Sequence, residues 1–429
     1  MTSTSRDTLR TFDSAAWSDG GAVPAAPGQA LAIGRAVPHK VLHTITGLNV
    51  GGAEHMLVRF LGQLDPAQYA SSVLSLLPPG RLAAAASQRA EVASVGMGTL
   101  PLPHHLLRLR AQVRTIRPDL LHGWMHHGNL AAMLGVLSGA AHAPVIWGVH
   151  HSITRLGDEK ALTRGILRLS AKLSSRTAAI CYCSRVAADD HERIGFDTDR
   201  RVVIPNGTDC AVFAPSGDAG ARLRQMIGIP AERIVIGHVA RFHPMKDQIA
   251  LVRAAARLIA ERRDVQVVFI GEGHGDGPVR QQAQALGIDT RVSTLGVRDD
   301  VATLLPGFDV FALSSAWGEA FPLSVGEAMA CGVPVVATAV GDCRWLVGPA
   351  GAVVPPSDPE ALVTALRDLV DLPPATRQNL GRRARERIVD EFSLPVYANR
   401  HLELYERALD AHRRHGAARP SPLHHGETA

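Results

Sequence analysis

Short apolar runs alternate with helical stretches along most of this chain. Val41–Thr46, Ser71–Leu77, Leu120–Gly123, Val145–Val149 and Ala178–Cys183 are near-continuous runs of apolar residues, the pattern of strands buried on both faces of a parallel sheet. Between them lie helical stretches such as Ala53–Leu64, in which Met56, Leu57, Phe60 and Leu61 share one face. Val202–Gly207 runs into a turn, and the Pro, Gly, Ser and Asp of Phe213–Gly220 mark a linker. The alternation then restarts with strands at Ile234–Val239, Val265–Ile270, Val310–Ser314 and Pro334–Thr338, and helices at Asp247–Ala260 and Pro322–Cys331. Strand and helix alternating twice predict two doubly wound α/β domains facing each other, with ligands in the turns after the strands. The expected boundaries are a disordered segment 1–37, a first domain 38–215, a second domain 216–393, a C-terminal helix 394–414 crossing back, and a disordered tail 415–429.

Composition agrees with this outline. The 429 residues suit two domains, 46% are hydrophobic and only 4% aromatic, which favours helix-covered parallel sheets over a sandwich. A net charge of +5 permits an anionic substrate without demanding one, and no basic block with interleaved aromatics points to nucleic acid. The five cysteines match no zinc spacing and read as reduced thiols. No leader-like segment opens the chain and no eighteen-residue apolar run is present, so the expected location is the cytoplasm.

The most informative segment is Ser314–Thr338. Glu319 lies in a turn after a strand, and Glu327 lies in the helix that follows. A turn entering a helix presents free N–H groups, suited to a phosphate or to sugar hydroxyls, and carboxylates beside it accept bonds from hydroxyls. Upstream, Arg241 and Lys246 close the strand Ile234–Val239, where two fixed cations would neutralise a diphosphate leaving group. Gly51-Gly52 forms a turn through which backbone can approach a ligand. His150 and His151 follow the strand Val145–Val149.

Glu319, seven residues, Glu327, then Ala328-Met329-Ala330-Cys331-Gly332-Val333-Pro334-Val335-Val336-Ala337-Thr338 closely resembles the signature of the retaining GT-B glycosyltransferases of family four. The resemblance extends over about residues 40–410. It implies a GT-B fold and transfer of sugar from a nucleotide-sugar, UDP- or GDP-linked, to a saccharide or lipid-linked acceptor, with no metal and no cofactor at the site. It implies catalytic roles for Glu319, His150, Arg241 and Lys246. It implies a donor site of Gly51, Gly52, Arg241, Lys246, Gly271, Gly296, Val297, Glu319, Ala320, Phe321, Pro322, Leu323 and Glu327. Arg241 and Lys246 would hold the diphosphate, Glu319 the sugar and Glu327 the ribose. Related sequences leave either His150 or His151 as the histidine at the sugar, with His150 preferred; His151 and Asn129 are expected on the acceptor side. Ala320 departs from the family's usual Gly. Ile204–Asp209 resembles a motif before the linker and is read as an inter-domain turn.

Other signals carry less. The glycines at 271, 273, 275 and 277 miss the dinucleotide spacing at Asp276, and Pro322 breaks a nucleophile elbow around Ser324. Asp197-Thr198-Asp199 is read as a solvated turn. The basic, leucine-bearing stretches His104–Arg117 and Arg164–Arg176 are either ordinary amphipathic helices or a peripheral contact with the inner face of an anionic membrane. The competing functions are a sugar-nucleotide epimerase on the same fold and a nucleotide-sugar-binding subunit without turnover.

Overall fold

A computed structural model describes residues 37–49, 51–98, 102–153, 156–261 and 264–417. Most of segments 1–37 and 415–429, and Val50 of the glycine turn, lie outside these residues. The chain forms two parallel sheets, each covered by helices. The first contains β1 (His39–Ile45), β2 (Tyr69–Ser75), β3 (Glu91–Ser94), β4 (Leu120–Trp124), β5 (Val145–Val149), β6 (Ala179–Tyr182) and β7 (Arg201–Val203), in the order β3-β2-β1-β4-β5-β6-β7. The second contains β8 (Ile234–Val239), β9 (Val265–Ile270), β10 (Val292–Thr294), β11 (Val310–Leu313), β12 (Val335–Thr338) and β13 (Ala352–Val354), in the order β10-β9-β8-β11-β12-β13. The strand order reverses between β1 and β4, where Val41 pairs with Leu120, and between β8 and β11, where Val310 pairs with Ile236. These are the two topological switch points, where a doubly wound sheet opens a crevice at its strand ends.

Each sheet is buried on both faces, which explains the continuous apolar runs. Val41, Ile45, Phe60, Trp124 and Ile146 pack on one side of the first sheet, and Leu42, Leu74, Leu121, Trp147 and Ile180 on the other. The second sheet is enclosed in the same way, with Phe311, Val325, Met329 and Val335 on one side and Ile236, Leu251, Val267 and Leu366 on the other.

The chain crosses between the domains twice, and the two crossings are bonded together. Thr208 N donates to Phe392 O and Leu394 N donates to Thr208 O, both at 2.8 Å. The terminal helix runs from Leu394 to Ala417, past the expected end at residue 414. Its Tyr397, Leu404, Tyr405 and Leu409 pack into the first domain against Ile45, Phe60 and Trp124. At about 1.5–3 kcal/mol for each large side chain buried, this contact holds the helix to that domain.

The same interface encloses three imidazoles. Trp124 Nε1 donates to His43 Nδ1 at 3.2 Å, His122 Nδ1 and the Tyr405 hydroxyl are 2.6 Å apart, and His401 Nδ1 donates to Tyr397 O at 3.0 Å. Burial, reinforced for His43 and His122 by neighbouring imidazoles and for His401 by His150, lowers the pKa of His122 far below its ordinary value and those of His43 and His401 to about 3. The unfolded chain therefore binds more protons than the fold below about pH 6.5, so stability is complete above that value and declines as the pH falls towards 3. At pH 5.5 each of the three imidazoles therefore costs the fold stability, because the unfolded chain takes up protons there that the folded one does not. Thermal unfolding at pH 7.5 and 5.5 is expected to show a marked fall in Tm, smaller in His401→Gln; equal Tm values at the two pH values would contradict the assignment.

Candidate functional site

A cavity of about 340 Å³ opens between the two sheets, at the carboxyl ends of their strands. From the first domain it is lined by Gly52 after β1, by His150, His151 and Ser152 after β5, and by Asn206 after β7. From the second it is lined by Val239, Ala240 and Arg241 at the end of β8, by Lys246, and by Gly318–Ser324 after β11. The sequence-predicted residues brought together here are Gly52, His150, His151, Arg241, Lys246, Glu319, Ala320, Phe321, Pro322 and Leu323.

The ionic core of the cavity is Lys246 with Glu319. Lys246 Nζ lies 2.5 Å from Glu319 Oε1, and the Ser315 hydroxyl donates to the same oxygen at 2.5 Å. Both side chains are mostly buried, at 17% and 7% exposure. The second oxygen, Oε2, has no protein partner among the described residues. The backbone fixes this pair from both ends. Lys246 closes a short turn, Pro244–Lys246, the Ser314 hydroxyl donates to Lys246 O at 2.9 Å, and Ala316 N donates to Met245 O at 2.8 Å. Behind Glu319 runs Gly341, with φ of +58°, where a Cβ would lie 2.3 Å from Glu319 O; only glycine allows that approach. Arg241 is exposed.

The helix Leu323–Ala330 begins at the cavity with no side-chain cap. Its first N–H groups therefore remain available to an anion or to hydroxyls. Phe321 anchors the preceding turn by packing on Trp345 and Phe392.

On the opposite wall, the His150 ring stacks on Trp124 with centroids 5.1 Å apart and planes 5° apart, and its Nδ1 lies 3.1 Å from Asn206 Oδ1. Burial lowers its pKa to about 4, against the Asn206 bond, which raises it. His151 is turned to Glu159, with Nε2 to Oε1 at 3.2 Å.

Five predicted donor residues lie off the cavity: Gly51, Gly271, Gly296, Val297 and Glu327. Gly51 precedes the helix Gly52–Leu61. Gly271 N donates to Gly296 O at 2.7 Å, tying the turns after β9 and β10 together behind Ala240 and Arg241. At Gly271, φ is +140° and a Cβ would fall 2.1 Å from Ala240 O. Val297 is exposed, 72% accessible. Glu327 is also outside the cavity: its carboxylate accepts a bond from Arg59 Nη2 of the first domain at 3.0 Å. Asn129, expected on the acceptor side, does not line the cavity. Its buried amide donates to Gly148 O and accepts from Gly148 N, both at 3.1 Å, clipping the helix Met125–Leu137 to β5.

Three contributors escaped the sequence reading. Asn206 lines the cavity from the segment read as a turn. The Ser152 hydroxyl donates to Glu319 O across the cleft at 3.2 Å. Asp342 of the second domain accepts from Arg185 N at 2.6 Å and Val186 N at 3.3 Å, supplying a carboxylate to the N-terminus of a first-domain helix. Among the described residues no group of three or more potential ligands could hold a metal ion, and no helix is long and apolar enough to cross a membrane.

Comparison with known proteins agrees with this geometry. A family model described as glycosyl transferases group 1 matches residues 221–387, and one described as glycosyltransferase family 4 matches residues 50–212. The chain is 28% identical to putative glycosyltransferase EpsF of Bacillus subtilis, over 69% of this chain and 78% of that protein. It is 30% identical to the MMP alpha-(1->4)-mannosyltransferase of Mycolicibacterium hassiacum, over 66% of this chain and 70% of that protein. Its fold matches that of Anabaena HepE, solved in complex with UDP, with a TM-score of 0.74 and 21% identity over 86% of this chain and all of that one. Two GT-B domains, each matched by its own model and enclosing a cleft with Lys246, Glu319 and His150 on its walls, place this chain among the family 4 glycosyltransferases.

Proposed function

We propose that the protein transfers a sugar from a nucleotide-sugar donor to a saccharide or lipid-linked saccharide acceptor, retaining the anomeric configuration and using no metal. The observation that carries this reading is the convergence of Arg241, Lys246, Glu319 and a free helix N-terminus at the β8/β11 switch point, opposite His150. Arg241 and Lys246 receive the diphosphate and stabilise its charge as the bond from the anomeric carbon to the phosphate oxygen breaks. Glu319 Oε2 accepts from sugar hydroxyls. The acceptor oxygen bonds to the anomeric carbon from the same face, and its proton passes to the leaving phosphate. This front-face route is supported by the carboxylates at hand: among the described residues Glu319 alone lines the cavity with a carboxylate, and Lys246 and Ser315 already hold it. Glu327 reaches the ribose once Arg59 releases it. HepE has been solved with UDP and with UDP-glucose, which supports a uridine donor here. Saturation-transfer NMR with UDP-, GDP- and ADP-sugars, in EDTA throughout, is expected to show binding of a UDP-sugar. Binding only after a divalent metal is restored would overturn the metal-free site, and no binding to folded protein would overturn the donor site.

The acceptor side supports a peripheral contact with an anionic membrane. On the helix Pro103–Ile116, Leu106 and Leu107 are exposed beside Arg108, Arg110 and Arg114, and on the helix Ala161–Leu173, Leu162 and Leu169 are exposed beside Arg168 and Lys172. Both helices pack against Met125–Leu137, so they belong to the same face of the first domain. Co-sedimentation with liposomes is expected to rise with anionic lipid content and fall with salt. Binding independent of both would remove this contact.

A further inference from the structure

Asn206 touches both walls of the cleft. Its Nδ2 lies 3.4 Å from the carbonyl oxygen of Phe321, in the second domain, and its Oδ1 lies 3.1 Å from His150 Nδ1, in the first. A carbonyl oxygen only accepts, so the amide must present its NH2 group to Phe321. Its oxygen is then left facing the imidazole, and His150 Nδ1 must carry the proton. Stacking on Trp124, itself held by a bond from its Nε1 to His43, fixes the plane of the ring. His150 Nε2 has no protein partner among the described residues, and His150 lines the cavity. His151 differs in this respect, because its Nε2 faces Glu159.

We infer that Asn206 is a positioning residue: it holds His150 as the neutral Nδ1–H tautomer, leaving the Nε2 lone pair to accept a hydrogen bond from a hydroxyl of the transferred sugar. This rests on the glycosyl-transfer reading for the identity of the ligand, but not for the tautomer. The Phe321 bond makes the arrangement conditional on the domains being together, since the group that orients the amide belongs to the sugar-binding turn of the other domain. The titratable and charged groups around His150 are His122 from β4, His401 from the terminal helix, its neighbour His151, and Arg241, Lys246 and Glu319 across the cavity. Burial disfavours an imidazolium here, as a neutral acceptor requires.

Long-range proton–nitrogen correlation spectra of the full chain, free of donor, read the tautomer directly, with the His150 ring assigned by its loss in His150→Gln. The wild type is expected to show protonated Nδ1 and bare Nε2. Asn206→Ala is expected to shift the ring towards the Nε2–H tautomer and to lower kcat about ten- to a hundredfold, with donor KM changing less than about threefold. Asn206→Asp has the same shape and keeps the Nδ1–H bond, but it gives up the bond to Phe321 O and its carboxylate favours imidazolium. It is expected to move the acid limb of kcat upward by about one to three pH units and to recover activity above that limb. A protonated Nε2 in the wild type, or an unchanged tautomer in Asn206→Ala, would overturn the inference, as would an acid limb in Asn206→Asp that does not move. If the wild type transferred sugar from no donor, the glycosyl-transfer reading would fail, while the spectra would still decide the tautomer.

Discussion

Glu319→Ala is expected to slow sugar transfer about a hundred- to a thousandfold, the effect of removing one preorganised hydrogen-bonding group from a site where charge develops, while the protein stays folded. Glu319 is 7% exposed, and two donors, Lys246 Nζ and the Ser315 hydroxyl, converge on Oε1. On the proposed reading, the oxygen that meets the sugar is Oε2. Alanine removes it and also leaves Lys246 unpaired in a mostly buried position, which costs about 1–3 kcal/mol of stability. Glu319→Gln separates the two effects. It retains an acceptor for one donor and the shape of the side chain but loses the charge opposite Lys246, so its rate should fall between those of the parent and the alanine variant. Steady-state kinetics beside thermal unfolding measure both quantities. Parental kcat/KM in Glu319→Ala would remove Glu319 from the donor site.

The strands and turns that build this site were legible because they are buried on both faces and end in distinctive residues. β5, β8 and β9 occupy the spans their apolar runs predict. β3, β10 and β13 were not read, and each is a three- or four-residue edge strand with partly exposed side chains. An edge strand needs less apolar surface, so it leaves no run to detect. The same distinction holds for side chains. Glu319 and Lys246 sit in motifs whose chemistry is local, whereas Asn206, Asn129 and Arg59 acquire their roles from distant partners. Asn206 meets His150, 56 residues away, and Arg59 meets Glu327, 268 residues away. Asn129 shows the converse: a polar residue early in a helix after a strand looks like a ligand-facing group in the sequence, while in the fold β5 lies beside it and takes up its amide.

The cleft contacts also explain why a single substitution can act on both domains. Ser152 to Glu319, Asn206 to Phe321, Arg59 to Glu327 and Asp342 to the N-terminus of Arg185–Arg193 all bridge the two sheets. All four use a residue on the Glu319–Glu327 segment or the loop that follows β12. On the proposed reading, the groups that receive the donor are among those that join the two domains, and a ligand that engages Glu327 would compete with Arg59 for it.

Lys246→Ala is expected to weaken donor binding about a hundredfold or more, the order of 2–5 kcal/mol associated with truncating one member of a buried charged pair. Arg241→Ala is expected to do less. Both cations line the cavity, but Lys246 is 17% exposed and fixed by its bond to Glu319, whereas Arg241 is solvent-exposed. Water and salt screen an exposed cation more than a buried one, so the attraction of Arg241 for a diphosphate should shrink as ionic strength rises. That of Lys246 should persist. Lys246→Arg keeps the charge but replaces a compact ammonium with a planar fork that does not fit a single carboxylate oxygen at 2.5 Å, so it should restore binding only in part. Titration calorimetry with the donor selected by NMR, in EDTA and at two salt concentrations, tests the order. If Arg241→Ala proved the more damaging at high salt, the diphosphate would lie at the outer rim of the cavity, and Lys246 would serve chiefly to hold Glu319 in place.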